Sequence, residues 1–244
     1  MTDNNNHNDE VIDSNTDVTG EDADLVLVEQ AERYSIISLN RPSKRNALSH
    51  GMLDAIYSAM DSLPSDDRHI VVLTGNGPAF CAGADLTPFQ SIETNKERQE
   101  LLASYGRGVN EIMQILASPN LISICAINGP AVGGGWALAM ACDFRIAGIN
   151  ASFWFPEIEL GRILGEPALL QAVNQAGAPL AKEMIMLAKR YESSELLSLG
   201  QLNRVVEENE LLETAFAYAE RLANMDAQAL TGVKYHIDKV ANTR

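Results

Sequence analysis

The 244-residue sequence has no apolar run near the ~18 residues a membrane-crossing helix needs, so no such helix is expected. Its first residues lack a basic start and an apolar core, which argues against a signal peptide. Residues 1–24 contain eight acids and no Lys or Arg. The remaining 220 residues hold 25 acids against 18 bases, an acidic body that lacks the clustered cations nucleic-acid binding requires. Cysteine is scarce. Cys81, Cys125 and Cys142 are odd in number and lie in apolar segments, the pattern of reduced thiols in a cytoplasmic protein. The four histidines are too far apart for a metal-ligand spacing. No G-x-x-x-x-G-K-[ST] cradle for phosphates and no G-x-S-x-G nucleophile elbow is present. Gly75-Asn76-Gly77 follows a strand pattern, but Phe80 stands where a dinucleotide fingerprint needs its third glycine. Cys81 has small apolar neighbours and no nearby histidine, so it reads as structural.

What remains is an α/β pattern. Residues 24–30 and 33–40 read as strands, 48–63 as an amphipathic helix, 69–75 as a short buried strand, and 96–117 as a long helix with Leu102, Tyr105, Val109, Ile112 and Leu116 on one face. Residues 121–128 are the next strand, and 143–148 and 151–155 read as further short ones. After about residue 166 the pattern is mostly helical, in segments 167–176, 179–189, 193–199, 208–224 and 226–240, so helices alone are expected there. The expected organisation is a disordered acidic tail over 1–23, an α/β core over 24–190 and a helical C-terminal region over 191–244.

Two stretches stand out, "LTGNGPAFCAGAD" and "AINGPAVGGGWAL". Each is a strand, a loop of small residues, then a helix or helix-like turn. Small side chains let a ligand approach the backbone, and N–H groups at a helix start point outward without partners. Two such groups converging on one oxygen would make an oxyanion hole.

With "LNRPSKRNALS" (39–49), "VVLTGNGPAFCAGADL" (71–86), "INGPAVGGGWALAMACDFRIA" (127–147) and "FPEIELG" (155–161), the sequence resembles the crotonase, or enoyl-CoA hydratase/isomerase, superfamily over roughly residues 24–240. The resemblance implies a crotonase-like spiral of ββα units with a helical C-terminal part. It implies an acyl-CoA thioester as substrate, with coenzyme A arriving as part of it and no separate cofactor, and a homo-trimer or hexamer. By motif position, the backbone N–H groups of Ala84 and Gly134 would hold the thioester oxygen. The backbone around Arg45, Asn46, Ala47, Ala82 and Gly83 matches where the family holds adenine and pantetheine. Arg45 or Lys44 is placed to meet a CoA phosphate; for Lys44 a solvated basic turn is an equal reading.

The sequence departs from the pattern at one catalytic position. Hydratases of the family use two glutamates, a base to activate water and an acid to protonate carbon. Glu157 matches one of them, but the other position is Ala137. A single carboxylate can still carry a proton from one carbon to another, which is a double-bond shift. The resemblance therefore points to isomerase-like proton transfer by Glu157, with hydration as a second reading and a non-catalytic acyl-CoA-binding protein of the same fold as the alternative. Glu159 and Glu166 are nearby alternative acids. Trp136, Trp154 and Phe155 could line an apolar pocket that raises the Glu157 pKa, or could be ordinary core. Gly165-Glu166-Pro167 replaces the family's usual Pro-Gly and paired glycines.

Overall fold

A computed structural model describes residues 24–63 and 69–241. The acidic segment 1–23 lies outside the described residues. The chain opens with an antiparallel pair, β1 (Val26–Gln30) and β2 (Ser35–Leu39). Helix α1 (His50–Asp61) follows, capped by the Ser49 hydroxyl, which accepts the Met52 N–H. Strand β3 (His69–Gly75) then lies parallel to β2. Helix α2 (Asn95–Leu116) begins in a reciprocal capping box between Thr94 and Glu97. Then come β4 (Leu121–Ile127), the two-residue β5 (Ala131–Val132), α3 (Gly134–Ala141), β6 (Phe144–Gly148) and β7 (Ser152–Trp154). The remainder is α4 (Glu166–Met186), β8 (Tyr191–Glu192), α5 (Ser193–Ser198), β9 (Arg204–Val206), α6 (Leu211–Ala223) and α7 (Ala227–Ala241).

The strands form two sheets. The larger has the order β1-β2-β3-β4-β6-β9, parallel beyond the first pair. The smaller is β5-β7-β8, extended by a bridge between Cys81 and Ala131. The chain repeats one stroke three times: a strand in the large sheet (β3, β4, β6), a short pairing in the small sheet (Cys81, β5, β7), then a helix (α2, α3, α4). This is the ββα spiral that the resemblance implies. Each stroke advances one strand along both sheets, so the loops leaving β3 and β4 end up side by side.

Strands β3 and β4 are buried on both faces, which is why their sequences are continuous apolar runs. Val71 and Leu73 face one core with α1, α2 and α3. Ile70, Val72, Ile122, Ile124 and Ala126 face a second core, closed by Leu211, Ala215 and Ala219 of α6.

The C-terminal part is mostly helical, with one correction. Segments 167–176 and 179–189 are two helical stretches within α4, as expected, separated where Gly177 takes the non-helical φ +74° ahead of Pro179. Helices alone were expected after residue 166, yet β8 and β9 are strands, and β9 is the sixth of the large sheet. At two and three residues neither is long enough to show an alternating pattern. They are fixed from outside: β8 pairs with β7, and next to β9 Asn203 accepts the Arg145 N–H through its side chain and donates its own N–H to the Arg145 carbonyl.

Helix α7 is tied down by one buried cation. Lys234 Nζ donates to the carbonyls of Leu116 (2.8 Å) and Leu121 (2.6 Å) and pairs with Asp143 at 3.0 Å. Replacing Lys234 by Met should leave both carbonyls and a mostly buried carboxylate short of a donor. The expected cost is about 2–4 kcal/mol, read as a lower urea midpoint at unchanged slope.

Candidate active site

The segment that follows β2 and the loop leaving β3 are joined through their backbones. Ala82 N–H donates to the Arg45 carbonyl (3.0 Å), Leu48 N–H to Gly83 (2.8 Å) and Asp85 N–H to Leu48 (2.9 Å), a parallel bridge between Leu48 and Ala84. This brings Arg45, Asn46, Ala47, Ala82 and Gly83 together. The Asn46 side chain is fully buried and spent on bracing: its Oδ1 accepts the Arg41 N–H and its Nδ2 donates to the carbonyls of Asn76 and Ala79. Any contact of Asn46 with a ligand is therefore left to its backbone. The Arg45 side chain is exposed. Arg41 reaches Asp85 at 2.6 Å. Burial works to raise the Asp85 pKa, but the Arg41 hydrogen bond and the Thr87 N–H outweigh it and hold it below the usual range.

The three consecutive glycines each answer a different constraint. Gly133 has φ +52° and ψ −119°, a conformation open to glycine, and a Cβ there would lie 2.6 Å from Glu157 Oε1. A Cβ on Gly135 would lie 2.5 Å from the Cys81 carbonyl, so α3 starts directly against the backbone of the neighbouring loop. Gly134, between them, lines a cavity. Cys81 itself is fully buried, and burial pushes its thiol up to about 12, in keeping with a structural role.

That cavity has a volume of about 520 Å³ and takes Leu48, Ala84, Gly134, Ala137 and Glu157 into its walls. Gly134 is the first residue of α3, so its N–H has no acceptor within the helix. Ala84 N–H takes no part in the bridge to Leu48. Both N–H groups belong to residues lining one cavity, and the Gly83 position where a Cβ would sit is 3.7 Å from Gly134 N.

Glu157 opens a short 3₁₀ turn after Pro156. Its carboxylate lies over Gly133, and its Oε2 is buried with no hydrogen-bond partner among the described residues. Desolvation raises its pKa above the usual 4.5, against opposing pulls from its own backbone N–H and the Arg162 charge. Among the cavity-lining residues it is the one carboxylate. Ala137, one turn into α3, also lines the cavity and presents a methyl group where the resemblance would place a second glutamate. Glu159 and Glu166 are exposed and do not line the cavity.

The three aromatics considered as pocket lining are elsewhere. Trp136 and Phe153 pack ring to ring at 4.8 Å in the core, Phe155 is fully buried, and Arg190 stacks on Trp154 at 4.7 Å. Helix α2 supplies a wall instead, with Leu102, Tyr105, Val109, Asn110 and Met113. Sequence reasoning placed Leu102, Tyr105 and Val109 on an apolar helix face, but periodicity cannot tell a face that meets core from one that meets a cavity. Arg162, also on the wall, was missed as a site residue; it lies in the segment that departs from the family pattern.

Comparison with known proteins agrees with this geometry. The profile described as Enoyl-CoA hydratase/isomerase matches residues 29–244. The short-chain-enoyl-CoA hydratase of Clostridium acetobutylicum is 33% identical over 201 residues, covering 82% of this chain and 75% of that protein. An enoyl-CoA isomerase/hydratase of Mycosarcoma maydis is 31% identical over 218 residues, covering 84% and 76% respectively. The crystal structure of an enoyl-CoA hydratase subunit from Geobacillus kaustophilus superposes with a TM-score of 0.78 at 32% identity, covering 89% of this chain and 82% of that one. The chain belongs to the enoyl-CoA hydratase/isomerase family.

The glycine geometry separates two substitutions. Gly135→Ala forces a methyl group into the Cys81 carbonyl and should cost about 1–3 kcal/mol in thermal or urea unfolding. A Cβ on Gly134 would meet the end of the flexible Leu48 side chain at 3.2 Å and Val109 Cγ2 at an ordinary contact distance of 3.5 Å. Gly134→Ala should therefore stay within about 1 kcal/mol of the parent.

Proposed function

We propose that this chain is an enoyl-CoA isomerase-type enzyme that moves a double bond by single-carboxylate proton transfer. The observation that carries it is the pairing of two free backbone N–H groups, on Ala84 and Gly134, with one buried, unpartnered carboxylate, Glu157, in one cavity. Removing a proton from the carbon next to a thioester throws negative charge onto the thioester oxygen. Two fixed N–H donors at that oxygen form the oxyanion hole, and each donor at such a site is worth about 2.7–4 kcal/mol of barrier. The N–H of Gly134 adds the positive end of the α3 dipole. Glu157, poorly solvated, takes the proton as base and returns it as acid to another carbon; its raised pKa suits both halves of the exchange.

Coenzyme A enters as part of the substrate. The backbone of Arg45, Asn46, Ala47, Ala82 and Gly83, held in one strip beside the cavity, would receive its adenine and pantetheine. Hydration is the second reading, favoured by the hydratase names of several relatives. It needs a second acid–base group, and Ala137 removes the position where the family resemblance would supply it. Assembly as a trimer or hexamer and a cytoplasmic location also belong to this proposal. The half-exposed Val233, Tyr235, Ile237 and Val240 of α7 support a subunit contact, and among the described residues no helix is long and apolar enough to cross a membrane.

Glu157→Gln should lower kcat on an enoyl-CoA by about 10²–10⁴-fold, while binding of a saturated acyl-CoA stays within a few-fold. Because burial raises the folded-state pKa of Glu157, its charged form costs stability once the pH exceeds the unfolded carboxyl's value. Glu157→Gln should therefore unfold at a higher temperature than the parent at pH 7. That gain should vanish as the pH is lowered below the ordinary glutamate range. Undiminished turnover in this variant would remove Glu157 from the mechanism.

A further inference from the structure

The acyl cavity carries more hydrogen-bonding capacity than a plain alkyl chain can use. Arg162 lines it half-buried, with its guanidinium carbon 4.5 Å from the Phe89 ring centroid; its backbone N–H donates to the Glu157 carbonyl, while the guanidinium makes no hydrogen bond or ion pair to any described residue. Tyr105 lines it too. It is 96% buried, and its hydroxyl is a buried polar atom without a hydrogen-bond partner among the described residues. Leaving such a hydroxyl unpaired costs about 1–3 kcal/mol, so a donor kept there calls for an acceptor.

The two groups share one neighbour. The Tyr105 ring stacks against Phe89 at 6.1 Å, and Arg162 lies over that same Phe89. A cation and a hydroxyl donor, both on the cavity wall, therefore pack against a single aromatic ring behind it. Arg98 adds a second positive charge that acts on Arg162. The nearest carboxylates are otherwise engaged: Asp85 is paired with Arg41, and Glu157 is assigned to proton transfer.

We propose that Arg162 and Tyr105 together receive an anionic group, a carboxylate, on the acyl chain, so that the substrate class is the CoA thioester of a dicarboxylic acid. The guanidinium offers two parallel N–H donors to a carboxylate and the phenol a third. Phe89 holds the guanidinium in place at low cost in side-chain freedom. An anion on Arg162 would also cancel the positive charge that opposes protonation of Glu157, which makes Glu157 a stronger base when such a substrate is bound.

This inference rests on the acyl-CoA reading of the cavity, so its test uses binding rather than turnover. Isothermal calorimetry would compare glutaryl-CoA with pentanoyl-CoA, which have equal carbon counts and lack the double bond. The expected result is glutaryl-CoA binding at least about tenfold more tightly than pentanoyl-CoA. Arg162→Met should abolish that preference and leave pentanoyl-CoA within about twofold. Tyr105→Phe should reduce the preference by a smaller factor. Pentanoyl-CoA bound as tightly as glutaryl-CoA, or an equal loss of both ligands in Arg162→Met, would overturn the inference and leave the acyl-CoA site standing. Binding of neither thioester would overturn the acyl-CoA site, and this inference with it.

Discussion

The start of α3 lies directly against the Cys81 carbonyl, and the site depends on that backbone-to-backbone contact. Gly135 makes it possible, since any Cβ there would occupy the space of the carbonyl. The contact sets the loop from β4 beside the loop from β3. Leu48 completes the join by exchanging hydrogen bonds with Gly83 and Asp85. The result is that Ala84 and Gly134 line one cavity with their N–H groups unspent. Strands β3 and β4 beneath are buried on both faces, and donors carried on such a frame are in place before a ligand arrives, the condition under which electrostatic stabilisation of a transition state is strongest.

The second constraint is charge. A carboxylate with an unpartnered buried oxygen is costly in a fold, and Glu157 is kept at that cost. Its setting is asymmetric. Desolvation pushes it toward the neutral form, and Arg162 pulls it back toward the charged one. A carboxylate whose pKa is raised in this way is a stronger base than a solvated one. What the cavity lacks is a second carboxylate, because Ala137 offers only a methyl group. On the proposed reading, this leaves one acid–base group in the cavity for the reaction.

Much of this was legible in the sequence, and the limits have physical causes. The glycine triplet, the Gly83-Ala84-Asp85 turn and Glu157 could be read because backbone recognition leaves a signature of small residues at fixed spacing. The long strands β3 and β4 could be read because burial on both faces makes continuous apolar runs. Strands β8 and β9 could not, since two or three residues hold no period and their places are set by pairing, β8 with β7 and β9 with β6 beside Asn203. Trp136 and Phe155 were considered for the pocket and are core, because size and polarity alone do not fix direction. Tyr105 and Arg162 were hidden for the opposite reasons. One sits in an apolar helix repeat and the other in a loop, and only the ring of Phe89, far from both in sequence, brings them together.

Product analysis tests the central claim most directly. The parent protein would be incubated with a 3-enoyl-CoA in deuterated water, and the product resolved by chromatography and mass spectrometry. The account predicts the 2-enoyl isomer, unchanged in composition apart from partial deuterium at the carbons that lose and gain the proton. Recovery of the 3-enoyl-CoA unchanged and free of deuterium, by a protein that adds water to a 2-enoyl-CoA, would contradict single-carboxylate proton transfer by Glu157.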